Sequence, residues 1–219
     1  MQKRTIVFGT YNTAEHGWTM SGLVLSDAEQ KTNYVEKSGG DGSWDLSTAL
    51  TNGIPRYRDR ILTVTLEHSK GSRADREALI NDMVNELDGL EWPIILPDRP
   101  DHYHFGRLHI AVNYSDLAHA MVTVTGNVEP WLYCAREIVV KLNATAQAQT
   151  ALLRNKGRRT VVPVLTSTGN LVVSFGGVQA DLSPGTYEWP TLLLTPGFHE
   201  LEYSGTGTLT ITYREAVLR

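Results

Sequence analysis

Arg60-Ile61-Leu62-Thr63-Val64-Thr65-Leu66-Glu67-His68, followed by Ser72-Arg73-Ala74-Asp75, Ala78-Leu79-Ile80, Met83-Val84, Leu87, Gly89-Leu90 and Trp92-Pro93-Ile94-Ile95-Leu96, is the stretch that decides how this chain folds. Its first run alternates strictly. Leu62, Val64 and Leu66 fall on one side, and Ile61, Thr63, Thr65 and Glu67 on the other, the pattern of a strand with one buried face. The middle run predicts a helix. Ser72 places a hydroxyl three residues before Asp75, so each side chain can satisfy a free amide of the other. Ala78, Leu79, Ile80, Met83, Val84, Leu87 and Leu90 recur at three- and four-residue spacing and form one apolar stripe. Gly89 is placed to end the helix in a left-handed conformation. Such a helix needs a sheet to cover, and the flanking strands supply it.

Upstream, residues 5–11 and 19–26 read as strands around a tip at Glu15-His16-Gly17, and residues 33–36 as a short strand. Ser38-Gly39-Gly40-Asp41-Gly42 is a loop, because its glycines make regular structure entropically costly. Downstream, Pro97-Asp98-Arg99-Pro100 is a turn. Residues 102–112 and 117–128 are two more strands, with a hairpin at Asn113-Tyr114-Ser115-Asp116. Pro130 cannot donate to a central ladder and closes this half, so a domain boundary is expected near residue 135.

The second half carries no confident helix. Residues 138–142, 160–166, 170–175, 178–182, 187–194, 198–203 and 208–213 are short β-rich runs, punctuated by Gly176-Gly177, Pro184-Gly185 and Pro196-Gly197. Turn signals at spacings near ten residues indicate a β-sandwich. In residues 144–153, alanine and glutamine favour a helix by propensity. The alternation of Ala144, Ala146 and Ala148 with Thr145, Gln147 and Gln149 favours a strand, which is the reading preferred. The chain is therefore expected to be mainly β with one helix, an α+β protein. Its first domain, 1–134, is β-sandwich-like with the helix packed on it, and its second, 135–219, is a sandwich.

Of the 219 residues, 41% are hydrophobic and 20% charged, which excludes wholesale disorder. No apolar run is long enough to cross a bilayer, and the N-terminus lacks the long apolar region of a signal peptide. The lone Cys134 excludes an internal disulfide and fits assembly in a reducing cytoplasm. Residues 1–133 carry 12 Lys+Arg against 18 Asp+Glu, and residues 134–219 carry 8 against 6, balances of −6 and +2 that make the net −4. Half of that second basic set lies in Arg154-Asn155-Lys156-Gly157-Arg158-Arg159. The block is read as a solvated loop in preference to an anion site.

Chemistry-bearing residues are sparse. His102 and His104 would share a strand face near Asp98 and Asp101, a metal pair lacking a third spaced ligand, or simply a polar strand end. Cys134 has neither an activating histidine nor a helix end, so a buried small side chain is expected. Tyr187, Trp189 and Phe198 suit either a sugar-stacking platform or a core. Trp44 with Asp45 suits a ligand pocket or, more simply, an aromatic anchor with a carboxylate capping nearby amides. Tyr57 and Arg60 suit pairing across a subunit boundary or within the chain. No nucleophile, base and metal set converges, so no catalytic residue, cofactor or metal is expected.

Taken in order, Asp41-Gly42-Ser43-Trp44-Asp45-Leu46-Ser47, Tyr57-Arg58-Asp59-Arg60, the capped helix, Trp92 to Leu96, and Tyr103-His104-Phe105-Gly106-Arg107-Leu108 resemble the N-terminal module of the distal tail proteins of long-tailed bacteriophages. Asn155-Lys156-Gly157, Pro163, the turn from Leu182 to Gly185, Pro196-Gly197, and Gly205 through Tyr213 look like that family's terminal, galectin-like or carbohydrate-module-like sandwich. The resemblance implies a non-enzymatic virion protein of the tail tip, assembled in the host cytoplasm. It also implies a homo-hexameric ring joining the tail tube protein to the tail-tip hub, with receptor-binding proteins as further partners. Trp44, Asp45, Tyr57, Arg60, Gly106 and Arg107 become the candidate structural and interface residues. Neither nucleic-acid binding nor membrane insertion is implied. The second domain lacks an insertion, which weakens the alternative of a carbohydrate-binding adsorption module.

Overall fold

The structure, a computed structural model, describes residues 5–113 and 119–219. The chain divides into two compact units, Met1–Pro130 and Trp131–Arg219. Among the described residues one helix accompanies many strands, so the chain is mainly β with a single helix.

In the first unit the elements run β1 (Val7–Phe8), β2 (Tyr11–Asn12), β3 (Thr19–Leu25), β4 (Tyr34–Glu36), β5 (Ser43–Asp45), β6 (Arg60–His68), α1 (Arg73–Leu87), β7 (Glu91–Ile95), β8 (His102–Asn113) and β9 (Ala120–Val128). Seven of the strands form an antiparallel sheet in the order β2-β1-β7-β8-β9-β6-β3. The alternation of β6 is realised: Leu62, Val64 and Leu66 are fully buried while Ile61 is 53% exposed. Leu108, Ile110, Val122 and Val124 continue the same inner face on β8 and β9. Helix α1 covers that face with Ile80, Met83 and Leu87, and Leu79 and Val84 pack at its margin.

The capping box forms as expected, with the Asp75 amide donating to Ser72 Oγ at 3.2 Å and the Ser72 amide donating to Asp75 Oδ2 at 2.8 Å. The Ser72 amide and hydroxyl, both donating to Asp75 Oδ2, hold that carboxyl below its ordinary pKa. Gly89 turns left-handed at φ 76°, which carries the chain off the helix axis. Leu90 therefore leaves the apolar stripe and is 48% exposed, a correction to the stripe read from spacing.

The expected strand over residues 5–11 is broken in two. At Gly9 (φ 60°) the Trp92 ring occupies the place a Cβ would take, 2.1 Å away, and the Gly9 amide donates to the Pro93 carbonyl at 2.8 Å. Proline returns no hydrogen bond, so pairing stops there and β2 folds back on β1. Trp18 and Tyr11 fill the space below, the indole N–H donating to the phenol oxygen at 2.9 Å. Burial pushes the Tyr11 phenol up to about 12. The hairpin expected at Asn113-Tyr114-Ser115-Asp116 extends outside the described residues, as do residues 117 and 118 of the next strand.

Between β3 and β6 the chain leaves the sheet as an arm of residues 27–59. Its root is a short ladder: Lys31 N–H donates to Arg56 C=O and Arg58 N–H to Glu29 C=O, both at 2.8 Å, around a bridge between Gln30 and Tyr57. Farther out, β4 and β5 pair as a separate hairpin, and the glycine loop 38–42 is its turn.

The second unit contains β10 (Leu132–Cys134), β11 (Ile138–Ala144), β12 (Gln149–Asn155), β13 (Val164–Ser167), β14 (Leu171–Phe175), β15 (Val178–Leu182), β16 (Gly185–Glu188), β17 (Gly197–Gly205), β18 (Gly207–Tyr213) and β19 (Ala216–Val217). Two four-stranded antiparallel sheets, β11-β18-β13-β16 and β12-β17-β14-β15, enclose Leu153, Leu165, Val173, Leu192, Leu194, Leu201, Leu209 and Ile211. β10 and β19 pair and bring the ends of the unit together.

Strand boundaries differ from expectation in several places, and the strand anticipated over 160–166 begins only at Val164. The strand anticipated over 187–194 ends at Glu188, because Pro190 cannot extend a ladder; Leu194 is held instead by paired bonds to Val161 of 2.9 and 3.0 Å. The stretch 144–153 is not one strand: β11 ends at Ala144, residues 145–148 form a turn in which the Thr145 hydroxyl donates to the Gln147 carbonyl at 3.2 Å, and β12 begins at Gln149.

Candidate docking surfaces

The six candidate residues fall in three places. Arg60, Val128, Gly106 and Trp92 form one row across β6, β9, β8 and β7. Arg60 is only 7% exposed and donates its Nε–H to the Ser26 carbonyl at 2.6 Å, tying the residue that follows β3 to β6. A Cβ on Gly106 would lie 2.4 Å from the Asn127 carbonyl oxygen and 2.6 Å from Val128 Cα. Gly106 thus lets β8 and β9 approach. Both residues are placed by the interior of one chain. Tyr57 sits half-buried at the arm's root.

Arg107 lies on the opposite sheet face. Its guanidinium bonds the Gly89 carbonyl and Glu91, the latter at 2.9 Å. With both side chains more than half exposed, the ion pair contributes little stability and leaves a cation at the surface. Next to it His109 approaches Asp88 at 3.0 Å. Together with Ile61, Gly89, Leu108, Thr125, Gly126 and Asn127, these two residues line a hollow of about 440 Å³ on the outer face of β6, β9 and β8.

Trp44 and Asp45 belong to the arm. Trp44 is 56% exposed beside Val35, its cross-strand partner, and Leu50 at the following turn is 100% exposed. Tyr34, Val35, Leu46 and Ile54 are also exposed on this one element. Asp45 accepts from the Ser47 amide at 2.9 Å, and the Ser47 hydroxyl and amide keep its carboxyl below the ordinary range. Of the two sequence readings, the capping carboxylate is realised, while the tryptophan anchors no core. Sequence reasoning missed Leu50 and the hollow. Large apolar residues lacking a period of 2 or 3.6, in a glycine- and threonine-rich stretch, were the available sign.

Other constellations resolve structurally. His104 is buried on β8, and among the described residues no three His, Cys, Asp or Glu side chains are grouped to hold a metal. Burial, and then the Glu215 charge, raise the Cys134 thiol's pKa, which disfavours the thiolate. Tyr187 and Trp189 pack on the core of the sandwich, whereas Phe198 stands 62% exposed on β17 of the other sheet, so the three aromatics make no common platform. In the basic block, Arg154 lies 4.9 Å over the Phe198 ring and Arg159 5.4 Å over that of Tyr133. Asn155 is buried, donating to the Arg159 and Leu194 carbonyls at 2.8 Å and accepting from the Gly157 amide at 2.9 Å.

No protein-family model matches this chain, and no curated protein does. A de novo designed double-stranded β-helix aligns with 36% of the chain at 19% identity and a TM-score of 0.26, too low to carry an argument. SPP1 Dit (gp 19.1), described as a paradigm of the hub adsorption apparatus in phages that infect Gram-positive bacteria, aligns with 96% of this chain and 98% of its own, at 14% identity and a TM-score of 0.68. Across nearly its whole length, this chain has the fold of that Dit protein.

Proposed function

We propose that this chain is a structural component of a phage tail tip: a homo-hexameric ring that joins the tail tube to the hub and receptor-binding apparatus, with no catalytic task. The observation that carries the reading is the fold correspondence with Dit over both units in one order. Residues 1–134 form the ring, and residues 135–219 form the second domain, the sandwich. Partners are further copies of the chain, the tail tube protein, the tail-tip hub and the receptor-binding proteins; assembly takes place in the host cytoplasm. A ring needs a different surface on each side of the protomer. The arm and the outer-face hollow are two such surfaces.

Light scattering on the full chain tests the reading. The expected particle has six times the 24.3 kDa chain mass, either alone or once tube or hub protein is added. A monomer in every mixture, absent from purified virions, refutes it. A second reading, a carbohydrate-binding adsorption module, draws on the exposed Phe198 with Arg154 above it. Saturable binding of the full chain to host wall polysaccharide, abolished by Phe198→Ala, would favour it.

A further inference from the structure

We infer that the arm of one copy docks in the outer-face hollow of a second copy of this chain, Trp44 and Leu50 seating against Ile61 while Asp45 meets Arg107. The inference rests on the ring reading and names its joint.

Three observations converge on it. First, the arm's apolar side chains have no core of their own. Val35 and Trp44 lie side by side across the hairpin, and Leu50 is wholly exposed at the turn beyond. Concentration of such residues on one projecting element marks a contact surface, unlike single scattered ones.

Second, the hollow offers an apolar wall and a backbone floor. Ile61, half exposed, lines one side, Gly89 adds no side chain to fill the space, and Gly126, whose missing side chain would point to the buried face, contributes backbone alone. Its volume of about 440 Å³ is of the scale of one or two large side chains.

Third, the charges match. Residues 34–46 carry Glu36, Asp41 and Asp45 against the single Lys37, and the cationic group at the hollow is Arg107, with the His109 ring beside it. Glu91 already pairs with Arg107, so the incoming carboxylate joins an existing ion pair and selects orientation more than affinity. Knob and hollow on different surfaces of one chain make a head-to-tail contact, the kind that closes a ring. The arm is also rooted at the hollow's edge, where Asn127 donates to Asp59 at 3.3 Å. An arm arriving in a hollow therefore lands beside the root of the next, which continues the contact from copy to copy.

The test places benzoylphenylalanine at Leu50 in the full chain and irradiates a mixture of ¹⁵N-labelled and unlabelled protein. Cross-linked peptide pairs of mixed isotope joining position 50 to the segments around Ile61, Arg107 or Asn127 are expected. Asp45→Arg and Arg107→Glu should each cut that yield roughly tenfold, and the double variant should restore most of it. Both variants are checked for unchanged melting. Cross-links confined to single-isotope pairs, or a double variant no better than its parents, overturn the joint. Ring-sized particles whose label attaches elsewhere also overturn it but leave the ring standing. Labelled pairs that find the hollow in assemblies that never close keep the joint and remove the ring.

Discussion

Gly106→Ala separates two accounts of a residue that a sequence motif assigns to an interface. In the structure the new methyl carbon would lie 2.4 Å from the Asn127 carbonyl oxygen, 2.6 Å from Val128 Cα and 2.8 Å from Val128 Cγ1. Two of these three neighbours are backbone, so no rotamer change relieves the clash, and β8 must move from β9 where Gly106 pairs with Val128. Overpacking of this kind costs about 1–3 kcal/mol, with the upper half expected where backbone must give. For a unit of this size, 2–3 kcal/mol corresponds to roughly 6–12 °C in melting midpoint. Gly126→Ala is the control. Its nearest neighbours are side-chain atoms, Leu108 Cδ2 and Val128 Cγ1 at 3.2 Å, whose methyls can shift, and Leu62 Cβ at an ordinary 3.5 Å, so the loss should stay below about 1 kcal/mol. Calorimetry on the isolated full chain measures both. If Gly106→Ala melts with the parent protein while assembly alone suffers, the pairing of Gly106 with Val128 is wrong and the motif does belong to an interface.

Met83→Asp should yield insoluble or unfolded protein, because Met83 is fully buried beneath the helix and a lone carboxylate there has no partner. Leu79→Asp, at the margin of the same core, should be milder and recoverable; equal behaviour of the two in soluble yield would contradict the helix orientation. Ser72→Ala should cost about 1 kcal/mol in denaturant unfolding through the lost cap. The depressed Asp75 carboxyl adds stability that is complete above about pH 4 and lost as pH falls through its lowered folded value. The difference in melting between parent and Asp75→Asn should therefore vanish on acidification, and a difference that grew instead would reverse the sign of the argument.

Much of the fold was legible where local signals and burial agree. Leu62, Val64 and Leu66 alternate with threonines because one side faces α1. Ser72 and Asp75 start the helix with bonds three residues apart, which spacing alone can reveal. Legibility failed where the cause lies far along the chain. The break at Gly9 is imposed by Trp92, and Leu194 is buried by pairing with Val161 rather than with a neighbouring strand. Trp44, Asp45 and Arg107 are at exposed positions suited to contact, but Arg60 and Gly106 answer to Ser26 and Val128 inside one chain. Motif order located these residues without distinguishing a residue that holds a strand from one that meets a partner. Leu50 was overlooked because a solitary leucine in a turn carries no periodic signal.

The most direct measurement is a cryo-electron microscopy reconstruction of native tails containing this protein. Six copies of the two-unit fold are expected in a closed ring at the junction of tube and tip apparatus. A tip built without the chain, or one holding it as single unlinked copies, would contradict the account.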